Sequence, residues 1–249
     1  MDPHVFAFTR SGILLGADDA PRAPRRSDLE RAGISFGAAR PMGGEHAFVW
    51  LGDAEVTGLR TVGLRSLFGA WDQPELERAF LASQLAHFDA MSRFCGQCGE
   101  PTIWKAGDAH VKSCARCERE IYPQISPCAI VRVSDGDRIL LARKAMFPGG
   151  FYGLVAGFLE PAETLEECAA REVMEETGVR VRDVQYFGSQ PWPFPSQLMV
   201  GFTATFDGGE IVVDTSELED ARWFRRGELP RLPPSLSIAR RMIDAWALG

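Results

Sequence analysis

Between Gly157 and Val179 the chain has little conformational choice. Thr164 is followed three positions later by Glu167, a pairing that lets a hydroxyl and a carboxylate satisfy the free amides at a helix start. Gly178 stands where a helix closes on a left-handed residue. The spacing therefore predicts a helix from Leu165 to Thr177. At ~100° per residue, Leu165, Cys168, Ala169, Glu172 and Glu176 fall on one stripe, with Glu175 beside it. Packing that stripe would desolvate its carboxylates together, which is costly unless positive charge sits among them. Hard oxygen donors grouped in this way suit Mg²⁺ or Mn²⁺. Arg171, one residue off the stripe, reaches Glu175 at i, i+4. Taken alone, the carboxylates also read as a solvated acidic face.

A second constraint lies upstream. Cys95-x-x-Cys98 and Cys114-x-x-Cys117, with fifteen residues between the pairs, have the spacing of two knuckles around tetrahedral Zn²⁺. The alternative is four unligated thiols. Four thiolates leave no open coordination position, so such a zinc would hold the fold and take no part in chemistry. The first knuckle has Gly96 and Gly99, whereas Glu118 follows the second. The insert mixes Lys105, His110, Lys112 and Arg116 with Glu100, Asp108, Glu118 and Glu120, which is no basic patch. Cys128 and Cys168 read as buried thiols.

These features divide the 249 residues into three expected parts: a divergent N-terminal α/β domain (1–92), a Cys₄ ribbon (93–122) and a catalytic α/β domain (123–249). The first part signals weakly. Arg22, Arg25 and Arg26 with Pro21 and Pro24 read as a loop, Ala47–Leu51 as a strand and Pro74–Met91 as a helix. Farther on, Pro127–Val133 and Arg138–Ala142 read as a hairpin across Ser134–Asp137. Phe147–Gly150 reads as a loop and Tyr152–Ala156 as a strand. Val184–Ser189, Leu198–Phe206 and Glu210–Val213 read as strands, and a last helix runs to about Trp246 with Ser235 as its N-cap. No stretch approaches the ~18–20 apolar residues of a membrane span, and Met1–Gly16 does not read as a signal peptide. A cytoplasmic protein is expected. The net charge of −7 means that an anionic substrate would need cations supplied by the site itself.

The full pattern from Gly157 through Glu163, Arg171-Glu172-Val173 and Glu175-Glu176 to Gly178-Val179 matches the Nudix box at every fixed position, and the chain resembles the Nudix hydrolases. The resemblance implies an αβα sandwich and attack of water on the phosphorus of a nucleoside diphosphate linked to another group. It implies metal ligation by Glu172 and Glu176, with Glu175 as ligand or base, Arg171 orienting the glutamates, and the Ala156 carbonyl as a further ligand. Glu163 reads equally as a functional residue of the box and as a plain salt-bridge or helix-entry residue. After the box, Ser189-Gln190-Pro191-Trp192-Pro193-Phe194-Pro195 makes a stiff loop presenting rings, with Trp192 and Phe194 able to stack on a base. A proline-stiffened core turn is the alternative.

Together with the cysteine pairs, this loop resembles the NAD(H) pyrophosphatase branch of the family, over about residues 92–246. That branch implies cleavage of NAD(H) to NMN(H) and AMP and removal of the NAD cap from RNA 5′ ends, with Mg²⁺ or Mn²⁺ catalytic, one structural Zn²⁺ per chain and a homodimer. It implies substrate contacts from Tyr122, Phe158, Gln190, Pro191, Trp192, Pro193, Phe194, Pro195, Ser196 and Gln197 and the backbone of Ala239, with Glu217 as a further metal ligand. Core packing is the alternative for Tyr122 and Phe158, and a solvated acid for Glu217. The chain departs from the branch at Gln197, where a serine is usual. Arg65 is a loose match to a contact from the N-terminal domain, and a surface arginine is its plainer reading. Two rivals remain: a Nudix enzyme for ADP-ribose or dinucleoside polyphosphates, and a zinc-ribbon nucleic-acid-binding module carrying an inactive Nudix domain.

Overall fold

In β9 (Ser126–Asp135) and β10 (Arg138–Arg143) nearly every central residue is buried, so the sheet they form is covered on both faces. Parity shows what covers it. Ala129, Val131, Val133, Leu140 and Ala142 join one core with Cys168, Ala169 and Val173. Ile130, Ile139 and Leu141 join the other with Ile238, Met242, Ile243 and Trp246. The result is an αβα sandwich, as expected. We describe its geometry from a computed structural model, which covers the chain except residues 1, 17–20, 36–38 and 146–148. Phe147 and Pro148 of the expected loop lie outside the described residues.

The described chain divides into two compact units. The first comprises residues 1–124 with Pro193–Ser196, the second residues 125–192 with 197–249. In the first unit, β1 (His4–Thr9), β2 (Gly12–Leu15), β3 (Arg40–Gly43), β4 (His46–Trp50) and β5 (Arg60–Val62) make one sheet in the order β3-β4-β1-β2-β5. Arg26 does not lie in a loop: it opens a short helix, α1 (Arg26–Arg31), whose N-terminal amide at Arg25 is capped by Asp28. The longer helix α2 (Gln73–Met91) starts on the Asp72 carboxylate, with Pro74 in its first turn where a missing N–H costs nothing, and packs on β4 and β1. A small sheet of β6 (Thr102–Trp104), β7 (Lys112–Cys114) and β8 (Glu120–Ile121) carries the cysteine knuckles.

In the second unit, β9 and β10 are joined by the two-residue turn Gly136-Asp137. β11 (Val155–Phe158) pairs with β9. β12 (Arg180–Trp192) and β13 (Gln197–Gly208) form a long hairpin, and β14 (Asp220–Arg225) closes the other edge on β10. The helix α3 (Leu165–Thr177) has the bounds the sequence predicts. The last helix, α4 (Ile238–Leu248), begins two residues later than expected, because Ser237 and not Ser235 accepts the first-turn amide. Glu210–Val213 is not a strand. Val212 and Asp214 instead donate their amides to the carbonyls of Thr177 and Glu176, satisfying acceptors that the end of α3 leaves free. No helix among the described residues is long and apolar enough to cross a membrane.

Candidate active site

The capping chemistry of α3 fixes the register of everything on it. The Thr164 hydroxyl accepts from the Glu167 amide at 3.2 Å, the Glu167 carboxylate accepts from the Thr164 amide at 2.8 Å, and Gly178 takes φ 72°. With both ends set, Cys168, Ala169, Val173, Glu176 and Thr177 face the core. The three glutamates then sit in graded environments. The side chain of Glu176 is 3% exposed, that of Glu172 13% and that of Glu175 58%.

Arg171 ties this set together. Its Nε and Nη2 grip the Glu163 carboxylate at 2.7 and 2.9 Å, Nη1 reaches Glu172 at 2.8 Å and Glu175 at 3.0 Å, and Nη2 also donates to the Phe158 carbonyl at 3.0 Å. The planar fork suits this task because it offers five N–H donors in fixed directions. Its bond to Arg171 holds the Glu163 carboxyl down at about 2. The sequence left Glu163 open, and its contacts are those of an ion pair at the helix entry.

Opposite Glu172 the backbone comes very close. A Cβ placed on Gly157 would lie 1.9 Å from the Glu172 carboxyl carbon and 2.0 and 2.1 Å from its oxygens, so any larger residue would displace the Glu172 carboxylate. One residue earlier, the Ala156 carbonyl lies 3.4 Å from Lys144 Nζ. The same ammonium is 2.7 Å from Glu176 Oε1 and 3.5 Å from Glu217 Oε2. Three of the four groups expected to bind metal thus converge on one positive charge. Burial pushes the Glu176 carboxyl up, with Lys144 opposing it. Burial also depresses the Lys144 ammonium, but the bonds and charges of Glu176 and Glu217 together outweigh this and leave it raised.

Sequence reading missed Lys144, which lies 32 residues from Glu176 and 73 from Glu217. A compositional signal was present. The chain has three lysines, Lys105, Lys112 and Lys144, against 24 arginines, and Lys144 is the only lysine between residues 125 and 249.

These groups suit a divalent cation in kind. All the donors are oxygens, the cation preferred there is already represented by an ammonium, and Glu176 Oε2 is buried with no partner. They are less tightly gathered than the thiols. Among the described residues, Cys95, Cys98, Cys114 and Cys117 are the one group of metal-ligating side chains whose atoms all lie within 4.8 Å of one another. Their sulfurs approach to 3.6 Å (Cys95–Cys117), 3.4 Å (Cys98–Cys114) and 3.8 Å (Cys98–Cys117). A tetrahedron with bonds of about 2.3 Å has edges of about 3.8 Å, so the four can hold a metal ion almost without moving. The amides of Gln97 and Cys98 point at Cys95 and pull its thiol down to about 6, and those of Cys117 and Arg116 lower Cys114. In the second knuckle Glu118 takes φ 57°, the left-handed position that Gly99 fills in the first with φ 76°. Cys128 and Cys168 are buried, and burial pushes them up to about 12 and about 11.

The expected substrate residues separate by what already engages them. Gln190 is buried, donating to the Leu236 carbonyl at 3.0 Å and accepting from the Ile238 amide at 2.7 Å, so both ends of its amide are used on the approach to α4. Ser196 is buried and donates to the Gln124 carbonyl at 2.8 Å. Phe194 is half-buried within the first unit, edge-on to Phe68 and Phe80, with the Arg65 guanidinium 4.3 Å from its ring centre. That is the core-turn alternative for Phe194, and Arg65 serves the ring. Pro193 is buried, Pro191 and Pro195 are exposed, and Trp192 is half-buried where it pairs with Gln197 to close the hairpin. Phe158 and Tyr122 expose 51% and 56% of their surface, against 60% for Phe94 and 63% for Tyr186. The Tyr122 hydroxyl donates to Glu120 at 2.5 Å. Ala239 is half-buried against the core under α4.

Comparison with known proteins agrees with this geometry. The NUDIX domain model matches residues 123–246. The chain is 45% identical over 244 residues to the NAD-capped RNA hydrolase NudC of Stutzerimonas stutzeri, covering 97% of this chain and 86% of that one. It is 45% identical over 259 residues to the protein of the same name from Pseudomonas putida, covering 99% and 92%. Among solved structures, a NUDIX hydrolase from Nitrosomonas europaea superposes with a TM-score of 0.51 at 28% identity, over 62% of this chain and 87% of that one.

Proposed function

The chain belongs to the Nudix hydrolase family, and from that premise we propose that it hydrolyses the pyrophosphate of NAD(H) to NMN(H) and AMP and removes the NAD cap from RNA 5′ ends. The observation that carries the proposal is the Arg171 clasp: one guanidinium holds Glu163, Glu172 and Glu175 in register beside Gly157. Such a device orients carboxylates for a cation and a reacting phosphate; a solvated helix face has no use for it.

In this reading, Glu172, Glu176, Glu217 and the Ala156 carbonyl hold Mg²⁺ or Mn²⁺. The bound ion would neutralise the pyrophosphate and acidify the attacking water. Gly157 keeps the backbone close enough for Glu172 to lie flat against it. Glu175 is the most solvent-accessible of the three box glutamates, and its carboxylate is the proposed acceptor of the water's proton. Phe158, Tyr122 and Trp192 are proposed to pack against the dinucleotide's rings, with Pro191, Pro195, Gln197 and the Ala239 backbone bordering it. Gln190, Pro193, Phe194 and Ser196 shape the loop from within. The four ribbon cysteines hold a structural Zn²⁺, which requires reduced thiols and fits a cytoplasmic location; a homodimer is part of the same proposal.

Hydrolysis of NADH in H₂¹⁸O, with products weighed by mass spectrometry, tests the activity. One ¹⁸O should appear in the phosphate of either NMNH or AMP, and Glu176→Gln should abolish it. A kcat/KM for ADP-ribose above that for NADH, NAD⁺ and capped RNA would overturn the nicotinamide assignment.

A further inference from the structure

Lys144 has no role in the proposed chemistry, yet its ammonium sits at the focus of the oxygen set. It touches Glu176 Oε1, the Ala156 carbonyl and Glu217 Oε2 with its side chain only 20% exposed. An ammonium has three donors radiating from one point and resembles a small cation, whereas a guanidinium spreads its donors around a flat fork. The chain uses arginine at 24 basic positions and lysine at three. Its neighbour Arg143 turns to Glu219 and lies over the Tyr152 ring, so the two adjacent basic residues serve different places. Glu176, 2% exposed, would be a buried carboxylate without a counter-charge if Lys144 were absent. Its second oxygen has no partner, which leaves an acceptor for an ion of higher charge.

We infer that Lys144 is a resident counter-ion that holds Ala156, Glu176 and Glu217 together in the metal-free protein and is expelled into solvent when a divalent cation takes its place. The inference rests on the reading of these oxygens as the catalytic metal site. A doubly charged ion competes with the ammonium for the same Glu176 oxygen, so the lysine lowers metal affinity while protecting the site from collapse.

The distribution of lysines makes the idea measurable. The zinc-loaded full-length protein is treated briefly with an N-hydroxysuccinimide acetate, with and without saturating Mn²⁺, and acetylation is read peptide by peptide. Calorimetry on the same sample establishes Mn²⁺ binding. Lys144 should acetylate at least about fivefold faster with Mn²⁺. The rates at Lys112, which is 3% exposed, and at Lys105, paired with Glu120, should not change. Lys144→Met should bind Mn²⁺ several-fold more tightly at unchanged stoichiometry, and its metal-free form should melt at a lower temperature than the parent. Unchanged Lys144 acetylation with Mn²⁺ bound overturns the inference, as does weaker Mn²⁺ binding by Lys144→Met. Absence of Mn²⁺ binding in the parent overturns the metal-site reading beneath it.

Discussion

Arg171 holds more of the site than any glutamate does, since Glu163, Glu172, Glu175 and the Phe158 carbonyl all depend on it. Replacing it by lysine keeps the charge but loses the fork, and we expect kcat to fall by about 100-fold, a loss of about 2.7 kcal/mol of transition-state stabilisation, with the far-UV spectrum retained. Steady-state kinetics on Arg171→Lys checks this, and activity within a few-fold of the parent would refute it. Glu163 gives a prediction in pH. Its folded carboxyl lies at about 2 against an ordinary 4.5, because of Arg171. The bond therefore stabilises the fold fully above pH 4.5 and is lost as pH falls through about 2. Melting temperatures of the parent and Glu163→Gln should differ at neutral pH and converge towards pH 2. The arginine–glutamate contact at i, i+4 was legible in the sequence, because helical spacing alone brings those side chains together. Lys144 was not, because nothing local to it encodes a meeting with residues 32 and 73 positions away.

Elements were legible where their ends carry their own chemistry. The limits of α3 follow from the Thr164–Glu167 box and Gly178, which act within a few residues. The strand at β14 was missed because its six residues, Asp-Ala-Arg-Trp-Phe-Arg, are half charged; as an edge strand it shows one side to water. Glu210–Val213 misled in the opposite sense. Ile211 and Val213 do pack on the core, but through a segment whose amides cap the end of α3, so its apolar residues do not report a sheet. In the ribbon, the left-handed Glu118 points to a simple gain. Glu118→Gly should raise the stability of the zinc-loaded protein by up to about 1 kcal/mol, as a non-glycine residue is penalised at that φ. Chemical denaturation measures it, and a loss of stability would mean that the Glu118 side chain contributes something the backbone does not reveal.

For the whole molecule, the segment that matters is the four-residue tip of the β12–β13 hairpin. Its strands belong to the second unit, and Pro193–Ser196 belongs to the first. The sequence identified this stretch as special by its alternating prolines and rings, and read the rings first as facing a ligand, with a proline-stiffened core turn as the alternative. Phe194 is instead claimed by Phe68, Phe80 and Arg65, partners more than a hundred residues away that no local pattern could name. Phe194→Ala should cost about 2 kcal/mol of stability, less than a fully buried phenylalanine because the ring is half-buried. Equilibrium unfolding in urea checks the figure, and a change within about 0.5 kcal/mol would show that the ring packs there without consequence.

That shared tip also bears on how such a protein can be inherited. A gene fragment ending at residue 124 would encode a first unit with a hollow beside Phe68 and Phe80, and one beginning at residue 125 would encode a hairpin whose tip has lost its packing. Recombination that shuffles the catalytic unit onto a foreign partner must therefore rebuild four residues in the middle of its own longest hairpin. Phe68, Phe80 and Phe194 should therefore vary together even where the rest of the N-terminal sheet diverges.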